Sequence, residues 1–279
     1  MYYIQETDKL NFLFKIFNIV RLEENKIILP VIDEKLTAKK AQKLALKTKK
    51  ILDKTNCKKV VISKNIKKQE KYINNLYTYN IDIIDGKWLF EILSNKALKY
   101  IVNKNKIKAQ EEVVSILVND LSLNMLENIK EIVQEYKGLN IVTNHINKFK
   151  KLEKQILDEY GTMITITNNK KKSLSKSKLI LNVDFPEELI NKYIINENAI
   201  IINLKGNVKI HQKRFNGVNI NDYDIIIKNQ EGLDLGFDYD INNKYKMAEV
   251  YESQIYQKQP YKNIMNKISK DKVQILLNY

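Results

Sequence analysis

Apolar and polar positions alternate along the first third of the chain in the manner of strands separated by helices. Residues 36–54 repeat apolar side chains at three- and four-residue steps and carry lysines on the opposite side, which predicts an amphipathic helix. The other predicted elements are strands at 26–31, 60–62 and 81–84 and helices at 69–79 and 88–102. Strands that alternate with helices favour a parallel sheet, so residues 1–108 are predicted to form an N-terminal α/β domain.

The alternation continues after a polar joint at residues 103–106, now with longer apolar strands. Such strands are expected where helices cover both faces of a parallel sheet. Gly138 and Gly161 are predicted to end their helices in the left-handed conformation. Residues 109–229 are therefore predicted to form a second α/β domain. Its predicted elements are strands at 113–118, 139–143, 163–167, 179–183, 199–204, 208–210 and 223–227, helices at 121–137, 146–160 and 186–193, and a lysine-serine loop at 170–178.

The periodic pattern weakens in the last part of the chain, residues 230–279. Helices are predicted at 245–256 and 264–277. From this layout we expect the tail to be mainly helical and to pack back on the first domain.

Composition excludes several classes of protein. With 44% hydrophobic and 29% charged residues, the chain has enough apolar surface to fold, and a fully disordered chain is not expected. No apolar run approaches the roughly 20 residues that span a bilayer, so no membrane partner is predicted. Cys57 is the single cysteine, which excludes an internal disulfide. Acidic residues stand where an export signal would carry basic ones, so we expect a reducing, cytoplasmic location.

The net charge of +15 has two interpretations. Of the 48 basic residues, all but Arg21 and Arg214 are lysines, and Asn, Ile and Tyr are also abundant. This mixture is typical of AT-rich, bacterial coding and would leave the lysines as a solvated surface. Alternatively, the charge attracts a polyanion such as nucleic acid. The scarcity of arginine favours the first interpretation, because arginine is the residue suited to bidentate phosphate contacts.

Residues 111–206 follow an element order with a known counterpart. The segments that carry it are Ser-Ile-Leu-Val-Asn-Asp at 115–120, Asn-Ile-Val-Thr-Asn-His at 140–145, the helix at 152–161, the strand at 163–168, and Leu-Ile-Leu-Asn-Val-Asp at 179–184. This order resembles the cofactor domain of the glutamyl-tRNA reductase and shikimate dehydrogenase group. The resemblance implies a Rossmann-like parallel sheet with helices on both faces, and NAD or NADP as the cofactor of an oxidoreductase.

The turn after the first of these strands departs from the family pattern. A dinucleotide turn needs glycines so that the backbone can approach the pyrophosphate, yet residues 119–124 contain none. Asp120 also places a negative charge there, and no acid follows the second strand to bind a ribose hydroxyl. We therefore expect no cofactor, and a degenerate Rossmann-like domain. NAD(P)-dependent oxidoreductase activity is the alternative.

Polar side chains are predicted to gather at the carboxyl ends of the parallel strands, where such sheets bind ligands. The predicted ligand-binding residues are Asn119, Asp120, Ser122, Thr143, Asn144, His145, Asn182 and Asp184, and the predicted anion-binding residues are Lys148, Lys170, Lys171 and Lys172. The alternative is structural, because Asn, Asp, Ser and Thr are also the preferred residues for capping helices.

No catalytic or metal-binding set follows from the remaining residues. His145 and His211 are the only histidines and are far apart in the sequence, so three or four zinc ligands are not expected. Asp234, Asp238 and Asp240 do not match a calcium loop and are predicted to form an exposed acidic segment. The predicted function is binding of a small polar ligand or a protein partner. Nucleic-acid binding through the lysines of 36–54 and 170–178 is an alternative.

Overall fold

A computed structural model describes residues 1–8, 12–31, 35–228, 243–256 and 259–278. The elements of the first third are β1 (Tyr2–Glu6), α1 (Phe12–Phe17), β2 (Arg21–Glu23), β3 (Lys26–Leu29), α2 (Ala38–Lys54), β4 (Lys59–Ile62), α3 (Lys64–Lys67), α4 (Glu70–Thr78), β5 (Asp82–Ile84), α5 (Lys87–Ile92) and α6 (Ser94–Lys104). Those of the middle are β6 (Val113–Leu117), α7 (Leu123–Glu135), β7 (Gly138–Val142), α8 (Ile146–Tyr160), β8 (Thr165–Thr167), α9 (Lys170–Lys176), β9 (Leu179–Asn182), α10 (Glu187–Ile190), β10 (Ile200–Asn203), β11 (Val218–Ile220) and β12 (Asp222–Ile227). The last described part contains α11 (Met247–Ile255), α12 (Tyr261–Lys270) and β13 (Val273–Asn278).

The first compact unit comprises residues 1–86 and 230–258. Its five-stranded sheet has the order β2-β3-β1-β4-β5 and is parallel except for the β2–β3 hairpin. The buried face of α2 contains Ala41, Leu44 and Leu52, as its periodicity predicted. Thr37 caps this helix by accepting a hydrogen bond from the Lys40 N–H.

The second compact unit comprises residues 87–229 and 259–279. Its sheet has six parallel strands in the order β8-β7-β6-β9-β10-β11. The chain steps outward from β6 to β8, returns to β9 beside β6, and then steps the other way. Because parallel crossovers are right-handed, this course places helices on both faces. It is the strand order of the Rossmann fold, so the predicted α/β class and the Rossmann-like second sheet are confirmed.

One face of this second sheet carries buried apolar residues on β6, β7, β9 and β10. Leu117, Val142, Ile180 and Ile201 form a buried cluster there with Leu174 of α9. These positions share a face because they are in register or two residues apart along neighbouring parallel strands. The cluster therefore marks the face against which α9 packs.

The tail of the chain is divided between the two units. Residues 243–256 belong to the first, where Tyr245 and Val250 join a cluster with strand residues of that sheet. Residues 259–278 belong to the second, and β13 pairs antiparallel with β12. The prediction of a single helix over 264–277 is wrong. Val273, Ile275 and Leu277 are buried at alternate positions, which is the period of a strand.

The compact units part at Gly86, so α5 and α6 lie with the second sheet. The polar joint at 103–106 had suggested a boundary near residue 108. That residues 1–108, 109–229 and 230–279 fold as separate domains stays a prediction. The predicted helix at 88–102 is interrupted, because α5 ends at Ile92 and α6 begins at Ser94.

Three further local predictions are corrected. Gly138 does not cap α7 in the left-handed conformation but is the first residue of β7, whereas Gly161 is left-handed with φ 64° as predicted. The lysine-serine segment is helix α9, because Asn169 caps it through the Lys172 N–H. No strand forms at 208–210, and β11 lies at Val218–Ile220 instead.

We predict that Gly217→Ala destabilises the chain, whereas Gly206→Ala does not. A Cβ at Gly217 would lie 2.0 Å from the Ala199 carbonyl oxygen, and the backbone cannot yield there without disturbing the β10–β11 pairing. Overpacking of this kind lowers the free energy of unfolding by about 1–3 kcal/mol. Gly206 has open space around it and serves as the control. Urea unfolding of both variants is the measurement, and equal midpoints would contradict the prediction.

Candidate functional site

Strands β6 and β9 are the neighbours from which the chain winds in opposite directions. In open α/β sheets, ligands bind beyond the carboxyl ends of the strands at this point. The segments that follow these strands contain Asn119 and Asp120 after β6, and Asp184 after β9. The structure thus brings three of the predicted ligand-binding residues together at the expected place.

The Asp184 carboxylate binds the backbone of the turn after β6. The Asn119 N–H lies 2.9 Å from both carboxylate oxygens, and the Asp120 N–H donates to one of them at 2.8 Å. The Asn119 side-chain amide donates to the same carboxylate at 3.4 Å. In a dinucleotide-binding turn, backbone N–H groups at this location point at a phosphate. Here a carboxylate of the chain itself occupies those donors.

The other predicted residues of this edge also bond within the chain. Asn119 accepts a hydrogen bond from the Asn144 N–H at 3.0 Å, and Thr143 accepts one from the His145 N–H at 3.0 Å. Ser122 caps α7 by accepting from the Met125 N–H at 3.0 Å, and its hydroxyl donates to Glu91. These contacts fit the structural interpretation of the polar residues. Their use as a ligand site stays a prediction.

Asp120 and Lys148 form an exposed pair across the turn, with 2.8 Å between Nζ and Oδ1. The hydrogen bond from Lys148 lowers the pKa of the Asp120 carboxyl below its ordinary value. Lys148 was predicted to bind an anion, and in the structure its ammonium contacts this carboxylate. The exposure of both groups means that the pair contributes little to stability.

Asn182 belongs to a network of asparagines across the ends of β9, β10 and β11. It accepts from the Phe185 N–H at 2.9 Å and donates to Asn203 at 2.9 Å. Asn203 donates in turn to Asn219 and Asn221. Sequence reasoning missed Asn203, although the Asn that follows each apolar run was an available signal. Buried amides that satisfy one another hold the strand ends in register.

The predicted cluster of Lys170, Lys171 and Lys172 does not form one surface. Lys170 is buried, with its ammonium 3.4 Å from the Asn168 carbonyl oxygen and 5.9 Å from the centre of the Phe185 ring. Lys171 and Lys172 are exposed. Consecutive residues of a helix point in different directions, so the helical form of this segment separates the three side chains.

A cavity of ≈ 530 Å³ lies between α9 and the polar part of the sheet face. Its lining includes Asn140, Thr165 and Thr167 from the strands and Lys172, Ser173 and Lys176 from the helix side. Of the residues predicted to bind ligand or anion, only Lys172 is among them. The sequence signal for this cavity, which was missed, is the presence of polar residues at alternate positions of otherwise apolar strands. A smaller cavity of ≈ 220 Å³ includes Asp184, Glu187 and Lys205.

Among the described residues, the candidate metal and thiol groups indicate no second site. Within the part of the chain that the structure describes, no group of three or more His, Cys, Asp or Glu residues is placed to hold a metal ion. The segment with Asp234, Asp238 and Asp240 lies outside the described residues. The Cys57 thiol donates to the Lys59 carbonyl oxygen, and His211 bonds Glu187. No helix among the described residues is both long and apolar enough to cross a membrane.

Comparisons with known proteins identify no family. No protein-family model matches the sequence, and no curated protein matches it. L-tryptophan dehydrogenase from Nostoc punctiforme is similar over 68% of this chain and 53% of its own, at 9% identity and a TM-score of 0.34. Ornithine transcarbamoylase from Giardia lamblia is similar over 72% of each chain, at 10% identity and a TM-score of 0.31. The chain thus spans about half of the dehydrogenase, and scores this low support no statement about activity.

We predict that Asp184→Asn lowers the free energy of unfolding by about 1–3 kcal/mol, because hydrogen bonds to a charged group are lost and an amide N–H₂ then faces backbone donors. Glu188→Gln is the matched control, since Glu188 is an exposed carboxylate close in sequence. Chemical unfolding of both variants measures the difference. A loss no greater than that of the control would show that the carboxylate is not structurally important.

Proposed function

We propose that the second unit is a Rossmann-like binding module that works without a nicotinamide dinucleotide. The observation that carries this proposal is the Asp184 carboxylate, which takes the N–H donors of Asn119 and Asp120. A pyrophosphate needs those N–H donors. While Asp184 is bound to them, a pyrophosphate would meet its carboxylate instead. Two negative groups in contact repel each other, and the carboxylate would have to leave before a pyrophosphate could reach the N–H groups.

The sequence of the turn points the same way. Every position from Asn119 to Asn124 carries a side chain, so the backbone cannot approach a pyrophosphate as a glycine turn does. Asp120 adds a second carboxylate, which Lys148 already pairs. The function left to this scaffold is recognition of a small polar ligand or of a protein partner. From the sequence we also expect the protein to lie in the cytoplasm.

The second candidate is an NAD(P)-dependent oxidoreductase. The observation that favours it is the strand order, because this order places a crevice between β6 and β9. It requires Asp184 to release the turn when a dinucleotide arrives. The two candidates therefore differ in one measurable property, which is the affinity of the intact chain for NAD and NADP.

We predict that neither oxidised nor reduced NAD or NADP at millimolar concentration raises the Tm of the full chain. A ligand at 100 times its Kd would stabilise by about 2.7 kcal/mol. In a chain of this length that is several degrees, at about 2–4 °C per kcal/mol. The measurement is thermal unfolding at low and high salt.

A clear rise in Tm with either cofactor at both salt concentrations would refute the proposal in favour of the oxidoreductase. The same two salts address nucleic acid, which the lysines of α2 could attract. Binding of an oligonucleotide that weakens steeply with salt would indicate phosphate neutralisation by lysine. A polyanion would then be the partner of the chain instead of a small ligand.

A further inference from the structure

The cavity under α9 has a floor that is unusual for a parallel sheet. Ser115, Asn140 and Thr165 are register partners on β6, β7 and β8, so their side chains form one polar row on one face. Faces of parallel sheets are ordinarily apolar, as this face is at Leu117, Val142 and Ile180. The face thus changes from apolar to polar towards the β8 edge.

Helix α9 is too short to cover this polar part. It has seven residues, and its Leu174 packs on the apolar cluster. Ser115 is satisfied by a hydrogen bond to Ser177 at 2.5 Å. The Asn140 amide and the Thr165 hydroxyl have no hydrogen-bond partner among the described residues, and both line the cavity. They are available to a ligand.

The helix side of the cavity carries uncompensated positive charge. Lys172 and Lys176 are four residues apart, so they lie on one side of α9, and both line the cavity. Neither ammonium forms an ion pair within the described parts of the chain. The acids of the cavity are already paired, Glu112 with Lys178 at 3.2 Å and Glu111 with Lys108 at 2.9 Å. Like charges at this spacing destabilise a helix, and an anion between them would relieve the repulsion.

We propose that this cavity binds a small phosphorylated polyol, with the phosphate held by Lys172 and Lys176 and the hydroxyls by Asn140, Thr165 and Thr167. The inference rests on the proposed function, to which it adds a site and a ligand class. The volume of ≈ 530 Å³ lies within the range of about 300–1,000 Å³ for small-molecule sites. Lysine binds phosphate as a point charge, and uncharged amides and hydroxyls recognise a sugar by hydrogen bonds.

The test is calorimetric titration of the full chain with ribose 5-phosphate, glycerol 3-phosphate and inorganic phosphate. We expect the two phosphorylated polyols to bind more tightly than phosphate alone, because only they reach the strand residues. The double substitution Lys172→Gln with Lys176→Gln should weaken their binding at least tenfold. Thr165→Val should weaken the polyols and leave inorganic phosphate unchanged.

The matched control is Lys192→Gln with Lys213→Gln, which removes the same charge from two exposed lysines outside the cavity lining. Its binding should equal that of the native chain. The proposal is overturned if neither phosphorylated polyol binds the native chain at millimolar concentration, or if the control pair weakens binding as much as the cavity pair. The proposed function fails on a different result, stabilisation by NAD or NADP, so the two failures are distinguishable.

Discussion

The contact between the Asp184 carboxylate and the backbone N–H groups of Asn119 and Asp120 is the constraint on which the account of the second unit depends. It joins the ends of β9 and β6, the two strands from which the sheet extends in opposite directions. Backbone donors at this point of a Rossmann fold need an acceptor, and a carboxylate from the neighbouring strand supplies one. The carboxylate that accepts from these N–H groups therefore takes the place that a phosphate has in a dinucleotide-binding turn. A fold widely used for dinucleotides is in this way compatible with a different function.

Under the proposed function, the binding site lies elsewhere in the unit. At the carboxyl ends, the polar side chains largely satisfy the backbone and one another, as the bonds from Asn144 to Asn119 and from Asn182 to Asn203 illustrate. On the face beneath α9 the opposite holds, because Asn140 and Thr165 face a cavity without partners among the described residues. The proposed anion site rests on two of the lysines at this cavity. At Lys148 the charge is paired, whereas Lys172 and Lys176 form no ion pair with any residue that the structure describes. Lys172 and Lys176 therefore differ from the other surface lysines by two features taken together: they line the cavity, and no described acid pairs with them.

Much of the fold was predictable because its signals are local. The periodicity of α2, the apolar run of β6 and the left-handed Gly161 after α8 each specify an element without reference to the rest of the chain. Contacts distant in sequence were not predictable. The bond from Asn119 to Asp184 spans 65 residues, and β13 finds its partner in β12 only through tertiary pairing. Gly138 shows the limit of residue preference, since a glycine after a helix can also begin a strand. The cavity escaped prediction because its floor exists only when β6, β7 and β8 are placed in register.

The most direct test of the central claim is rescue of Asp184→Ala by a small carboxylate. Removal of the side chain leaves the Asn119 and Asp120 N–H groups without their acceptor, and formate is small enough to occupy the vacated place. The measurement is the unfolding free energy of this variant and of the native chain in sodium formate and in sodium chloride of equal ionic strength. We expect formate to restore a substantial part of the lost stability in the variant and to have little effect on the native chain. Equal effects of formate on both proteins would contradict an anion site at this turn.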